Sequence, residues 1–175
     1  MTRDEALAAF ECAGVPPLPA FLDFQTKFGG YAPDLDVTYG VVGLKDHSGE
    51  PRWSQEENLQ FVRCDLENIT QVRMSLDETG VFYHDGTPVA ESFESFIAYS
   101  AYSAQTLTPL GWKYIDDERR STKRFKEFLS NLEQATVVRR ATDRYHSVCQ
   151  SGQYFKVVIG NYQALFVRPD LLKGW

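Results

Sequence analysis

The sequence predicts an α+β fold: a single domain, residues 1–175, in which helices pack on a mostly antiparallel sheet. Three observations lead there. Two short segments with helical spacing open the chain, alternating apolar and polar residues mark strands through its middle, and two apolar runs joined by Gly160-Asn161 close it as a hairpin. At 175 residues and 43% hydrophobic, the chain has enough apolar material for one core and little for two. Aromatic content of 14% belongs to a folded chain rather than a disordered one.

The elements follow in order. Thr2-x-x-Glu5 is a capping box, and Leu7 and Phe10 continue at helical spacing until Gly14. Pro19 suits the first turn of a second helix, whose face is Leu18, Phe21, Leu22 and Phe28. Gly29-Gly30 is expected to end it in the left-handed conformation, and Pro33 prevents its resumption. Thr38–Leu44 reads as a short strand, residues 45–58 as a long polar loop, and Leu59–Leu66 as a second strand-like run. Val72, Met74 and Leu76 alternate with polar residues, Asp77–Gly80 is turn chemistry, and Val81-Phe82-Tyr83 is the partner strand. The HDGTP corner leads to Ser92, an N-cap for a helix whose face is Phe93, Phe96, Ile97, Ala101 and Ala104. Thr106–Trp112 reads as a connection within the domain. Beyond it, Phe125, Phe128, Leu129 and Leu132 form a further helical stripe, and RYHSVCQ supplies a strand before the final hairpin. Phe21, Leu22, Phe28, Phe82, Phe93, Phe96 and Ile97 are the expected core.

Charge is split along the chain. Residues 1–100 carry 6 Lys/Arg against 17 Asp/Glu, a balance of −11; residues 101–175 carry 12 against 7, a balance of +5, which returns the net −6. Such asymmetry steers association with charged partners. The three cysteines, Cys12, Cys64 and Cys149, are scattered without a CxxC or a His/Cys cluster, which fits a reducing compartment where each is a small buried hydrophobe. The acidic start lacks the apolar run of a signal peptide, and no stretch is apolar enough for a membrane span, so a soluble cytoplasmic protein is expected.

Candidates for chemistry are few. His84-Asp85 invites a hydrolytic or metal reading, but Asp85-Gly86-Thr87-Pro88 are turn residues, and His47 and His146 lie in unrelated contexts. The pair therefore reads as a structural corner. Cys64 and Cys149, with His146 as base, are candidate nucleophiles that read better as inert buried thiols. Asp116-Asp117-Glu118 suits a helix N-terminus, and the run of Arg119, Arg120, Lys123, Arg124 and Lys126 reads as a solvated basic face rather than a nucleic-acid site. Phosphate-loop, dinucleotide, nucleophile-elbow and HExxH motifs are missing from the sequence.

Two stretches carry a resemblance. LPAFLDFQTKFGGYAP contains Phe28-Gly29-Gly30 after a proline-opened helix; GVFYHDGTPVAESFESFIAYSA contains Gly80-Val81-Phe82, a turn, and a helix opening Ser92-Phe93-x-x-Phe96. Together they resemble the SUKH superfamily over about residues 15–104, with residues 105–175 as a helix-plus-hairpin extension. The resemblance implies an α+β domain with no active site and no cofactor or metal. Many bacterial members are immunity proteins that bind and block a cognate polymorphic toxin; other relatives, fungal cell-wall regulators among them, are interaction modules. The expected partner is a basic protein toxin, nucleases included, with no nucleic acid and no membrane. The competing class is a hydrolase using His84 or Cys149.

The acidic part of the chain locates the expected interface. Tyr31, Asp34 and Asp36 follow a helix end, and Trp53, Glu56 and Glu57 occupy the polar loop. Trp53 has two readings, a local anchor into the core or a hot spot for a partner, and the anchor is the safer.

Overall fold

Residues 1–29, 52–56, 59–63, 74–115, 123, 126–127, 134–159 and 162–172 are described in this computed structural model. They form an α+β structure with two five-stranded antiparallel sheets. The chain falls into two compact units, Met1–Phe93 and Glu94–Trp175. The antiparallel character expected from the pattern holds, and its strands divide between two sheets. Sequential strands pair with one another in the first sheet, and an 18-residue helix separates the two runs.

The first unit opens with α1 (Arg3–Ala13). Thr2 caps it, with the Glu5 amide donating to Thr2 Oγ1 and the Glu5 carboxylate accepting from the Thr2 amide at 2.7 Å. Ala6, Phe10 and Ala13 form its buried stripe, and Gly14, at φ 69°, closes it in the left-handed conformation. α2 (Pro19–Phe28) has proline in its first turn and buries Phe21, Leu22, Phe24 and Gln25. The helices pack on each other, and Arg3 bridges to Asp23 across them.

Gly29 ends α2 differently from the expectation. Its φ of −56° and ψ of 118° are open to any residue. Space is the constraint: a Cβ there would lie 2.4 Å from the Gln25 carbonyl oxygen and 2.8 Å from Gln25 Nε2. The glycine is needed for close approach, not for a left-handed turn.

The first sheet is a meander of β1 (Trp53–Glu56), β2 (Leu59–Arg63), β3 (Met74–Asp77), β4 (Phe82–His84) and β5 (Thr87–Ala90). The register aligns one residue of each strand: Trp53 opposite Val62, Val62 opposite Leu76, Leu76 opposite Phe82, and Phe82 opposite Ala90. Val62, Leu76, Phe82 and Ala90 are all buried. Phe82 reaches Phe93 at 5.2 Å between ring centroids, and Phe93 in turn meets Phe24 at 5.0 Å and Phe28 at 4.8 Å. Truncating a fully buried phenylalanine such as Phe82 to alanine costs about 3–5 kcal/mol.

Two parts of the sequence reading are corrected here. Trp53–Glu56, expected in a loop, is a strand, and Thr87–Ala90 adds a strand where only a corner was expected. Pro88 is tolerated because β5 lies at the edge of the sheet among the described residues. The strand expected at residues 38–44 lies outside the described residues.

The second unit contains most of α3 (Phe93–Leu110), which begins directly after Ser92. The helix continues through Thr106–Leu110, expected to be a connection, and Gly111 at φ 60° follows it. The second sheet comprises β6 (Lys113–Tyr114), β7 (Thr136–Val137), β8 (His146–Gln150), β9 (Tyr154–Ile159) and β10 (Tyr162–Val167), in the order β6-β10-β9-β8-β7. β9 and β10 are the hairpin read from the sequence, with Tyr162 opposite Ile159. On one face Val148, Phe155, Val157 and Ala164 are buried, with Tyr99, Tyr102 and Trp112 packed against them. Leu165 and Val167 alternate onto the other face and join Ile115. The helical stripe expected at Phe125, Phe128, Leu129 and Leu132 lies outside the described residues; Lys123, Lys126 and Glu127 beside it are helical and exposed.

Four expected core residues, Phe21, Leu22, Phe82 and Phe93, are buried, whereas Phe28, Phe96 and Ile97 are half-buried and Ala101 is exposed. Among the described residues of α3, Tyr99 and Tyr102, which apolar spacing did not select, pack on the second sheet.

The outer edge of β8 is closed by the segment before it. The Val138 amide donates to the Val148 carbonyl at 2.8 Å, the Asp143 amide to the His146 carbonyl at 2.9 Å, and the Val148 amide to Thr142 Oγ1 at 2.9 Å.

Candidate functional site

Of the six residues expected to meet a partner, Trp53 and Glu56 are described; Tyr31, Asp34, Asp36 and Glu57 lie outside the described residues. Both sit on β1, at an edge of the first sheet among the described residues. Three residues apart on a strand, they project to opposite faces. Trp53 stands at the end of the buried row and is half-buried. Glu56 is exposed on the other face, which also carries Phe61 and Tyr83, whose rings meet edge-on at 5.2 Å. The described pair therefore does not form one contiguous patch.

The same face carries a buried carboxylate used for structure. Asp77 is 2% exposed, and its Oδ1 accepts from the Thr79 amide at 2.9 Å, Thr79 Oγ1 at 2.7 Å and the Val81 amide at 3.0 Å. Its Oδ2 accepts from the Tyr83 hydroxyl at 3.0 Å. All these donors close the β3–β4 turn, so the burial of this charge is matched by hydrogen bonds.

The His84-Asp85 corner is a two-residue hairpin turn. His84 pairs with Thr87, and both intervening residues have positive φ, 47° at Asp85 and 76° at Gly86. That is the primed geometry that Asp-Gly favours. His84 Nε2 lies 3.9 Å from Asp85 Oδ2, with side chains 46% and 55% exposed. Both side chains are partly exposed at the tip of the hairpin.

A second pair, which the sequence reading passed over, is tighter. His146 Nδ1 donates to Asp143 Oδ1 at 3.0 Å, with both side chains buried. The same oxygen accepts from the Tyr145 amide at 2.8 Å and the His146 amide at 3.1 Å. Tyr99 lies against the imidazole at 5.2 Å between ring centroids, and burial raises its phenol above the ordinary range. The signal in the sequence was Asp-x-x-His ahead of a strand: aspartate bonds to amides two and three residues on, and the third residue brings its ring to the same carboxylate.

The thiols differ from one another. Cys12 is exposed, which corrects its expected burial: the helix stripe is Ala6, Phe10 and Ala13, and position 12 lies off it. Cys149 is half-buried on β8, opposite Val137 and Lys156. Cys64, His47, Asp116-Asp117-Glu118 and Arg119, Arg120 and Arg124 lie outside the described residues. Among the described residues, no group of three or more His, Cys, Asp or Glu is close enough to hold a metal ion, and no helix is long and apolar enough to cross a membrane.

Comparison of the chain with protein-family models, with curated proteins and with solved structures finds no match.

Proposed function

We propose that this chain is an immunity protein, which neutralises a cognate polymorphic toxin in the cytoplasm of the producing cell by stoichiometric binding and without catalysis. The observation that supports this reading is where the resemblance-bearing residues meet. Phe28 of Phe-Gly-Gly, Phe82 of Gly-x-Phe and Phe93 of Ser-Phe-x-x-Phe belong to one ring cluster, with centroids 4.8 Å apart for Phe28–Phe93 and 5.2 Å for Phe82–Phe93. The Phe-Gly-Gly motif thus shares one core with two motifs more than fifty residues further on, as the elements of a shared domain would. The exposed, 3.9 Å separation of His84 and Asp85 gives a hydrolase no oriented base.

The balance of −11 over residues 1–100 suits a basic toxin, nucleases among them, because complementary charge accelerates encounter. The test is co-expression with the toxin domain of a large secreted polymorphic toxin encoded beside the gene. Rescue of growth, with a one-to-one complex recovered by size exclusion, supports the reading. Failure to rescue from every adjacent toxin domain sinks it and leaves an interaction module unrelated to toxins.

A further inference from the structure

Between β7 and β8 the chain makes a short, braced turn rich in arginine. Residues Arg139–Ala141 form a 3₁₀ turn in which the Ala141 amide donates to the Val138 carbonyl at 3.0 Å, and Ala141 is buried. Arg139, Arg140 and Arg144 are all exposed. Arg140 lies 4.8 Å over the Tyr102 ring, which stacks on buried Phe155 and donates its hydroxyl to Gln150. Arg144 lies 4.5 Å over the Tyr145 ring and bonds to its hydroxyl at 2.5 Å. Two of the three guanidinium groups are therefore seated on aromatic rings before any partner arrives.

The described acids of this stretch of chain are engaged with other partners. Over residues 134–172 the only carboxylate side chains are Asp143 and Asp170. Asp143 is buried on His146, and Asp170 is held by both Nε and Nη2 of Arg168, at 3.0 and 2.7 Å. No described carboxylate makes an ion pair with Arg139 or Arg140. Beside the turn, Val137 is 56% exposed.

We infer that the turn from Val137 to Arg144 docks a carboxylate-rich segment of a protein partner. Planar guanidinium forks match carboxylates two bonds at a time, and seating on tyrosine reduces the freedom lost on binding. Arginines seated on tyrosines match the Arg- and Tyr-rich composition of protein hot spots more closely than a phosphate track. Nucleic acid is disfavoured because a chain of net −6, with −11 in its first hundred residues, repels a polyanion, and the turn offers it three arginines. This inference stands apart from the toxin reading, whose expected contacts are acidic.

The experiment is fluorescence anisotropy on the full chain with a labelled peptide of alternating glutamate and leucine, and in parallel with a labelled single-stranded oligonucleotide. Saturable peptide binding that weakens with salt is expected. Arg139→Glu with Arg140→Glu should weaken it by about tenfold or more, at unchanged circular dichroism. Arg140→Lys keeps the charge but gives up the fork and the ring stack, and should weaken it by about threefold. If the double variant fails to fold, Arg139→Gln and Arg140→Lys carry the reading. Unaltered peptide affinity in the variants that fold overturns the inference, as does oligonucleotide binding tighter than peptide binding. It is also overturned if sedimentation shows concentration-dependent self-association that the arginine substitutions abolish, because the occupant would then be a second copy of this chain.

Discussion

His84–Asp85 and Asp143–His146 pair the same two residue types, one on solvent in the first unit and one inside the second. The adjacent pair is the more conspicuous in sequence, yet its side chains stand 3.9 Å apart and about half exposed. The spaced pair is 3.0 Å apart and buried, and its carboxylate also holds two backbone amides. Neighbouring residues at a hairpin turn have no reason to aim their side chains at one point. A three-residue offset around an aspartate turn does, because the carboxylate is already bound to the backbone that carries the ring. Spacing and local backbone bonding, not adjacency, build a defined polar site here.

The largest effect should come from breaking the buried pair. Asp143→Ala leaves three donors facing a void and should cost about 3 kcal/mol in urea denaturation; Asp143→Asn, which keeps an acceptor, should cost about 1 kcal/mol. An alanine cost under about 0.5 kcal/mol, the range of an ordinary surface change, would erase the contrast between the pairs. At the corner, backbone matters more than side chains. Gly86→Val puts a β-branched residue at φ 76° and should cost about 1–3 kcal/mol, visible as a lower melting temperature. His84→Ala should stay within about 0.5 kcal/mol and leave partner binding intact. Loss of a measurable activity at unchanged folding would instead make the corner a working site.

Two pH effects sharpen the comparison further. Burial raises the Tyr99 phenol beside His146, so its folded value exceeds its unfolded one. Its contribution is whole below the ordinary tyrosine range of about 10 and lost as pH climbs through the raised value. Tyr99→Phe should flatten that alkaline loss in urea midpoints measured across the range. Glu5 is shifted the other way: hydrogen bonds from the Thr2 amide and then the Thr2 side chain lower its pKa. The cap it makes is present above the ordinary glutamate range and fades as pH falls through the lowered value. Glu5→Gln should remove that acid dependence from the helical circular dichroism signal, the smallest change of the set.

Much of the architecture was legible because it rests on local rules. The capping box at Thr2, the proline-opened α2 and the β9–β10 hairpin each combine a turn or cap residue with a periodic run. What escaped was set by tertiary context. Trp53–Glu56 has too little alternation to stand out, and becomes a strand because Trp53 extends the row begun by Val62 and Leu76. Thr87–Ala90 was hidden by Pro88, which an edge position accepts. Tyr99 and Tyr102 were passed over for Phe96 and Ile97 because apolar spacing ignores tyrosines that bury a ring and keep a hydroxyl. For the site, strand alternation was enough to separate Trp53 from Glu56 once β1 was recognised, whereas no residue pattern announced that the cations of the 139–144 turn would be seated on rings.

The closed edge of β8 bears on how the protein behaves when crowded. An open strand edge offers a ladder of amides and carbonyls on which other chains can template growth into fibrils. Here the carbonyls of His146 and Val148 and the amide of Val148 are taken by Asp143, Val138 and Thr142. A recruiting strand would first have to peel that segment away, and with it the turn that carries Arg139 and Arg140. Thr142 thus satisfies the Val148 amide through a side chain that lies in no strand of its own.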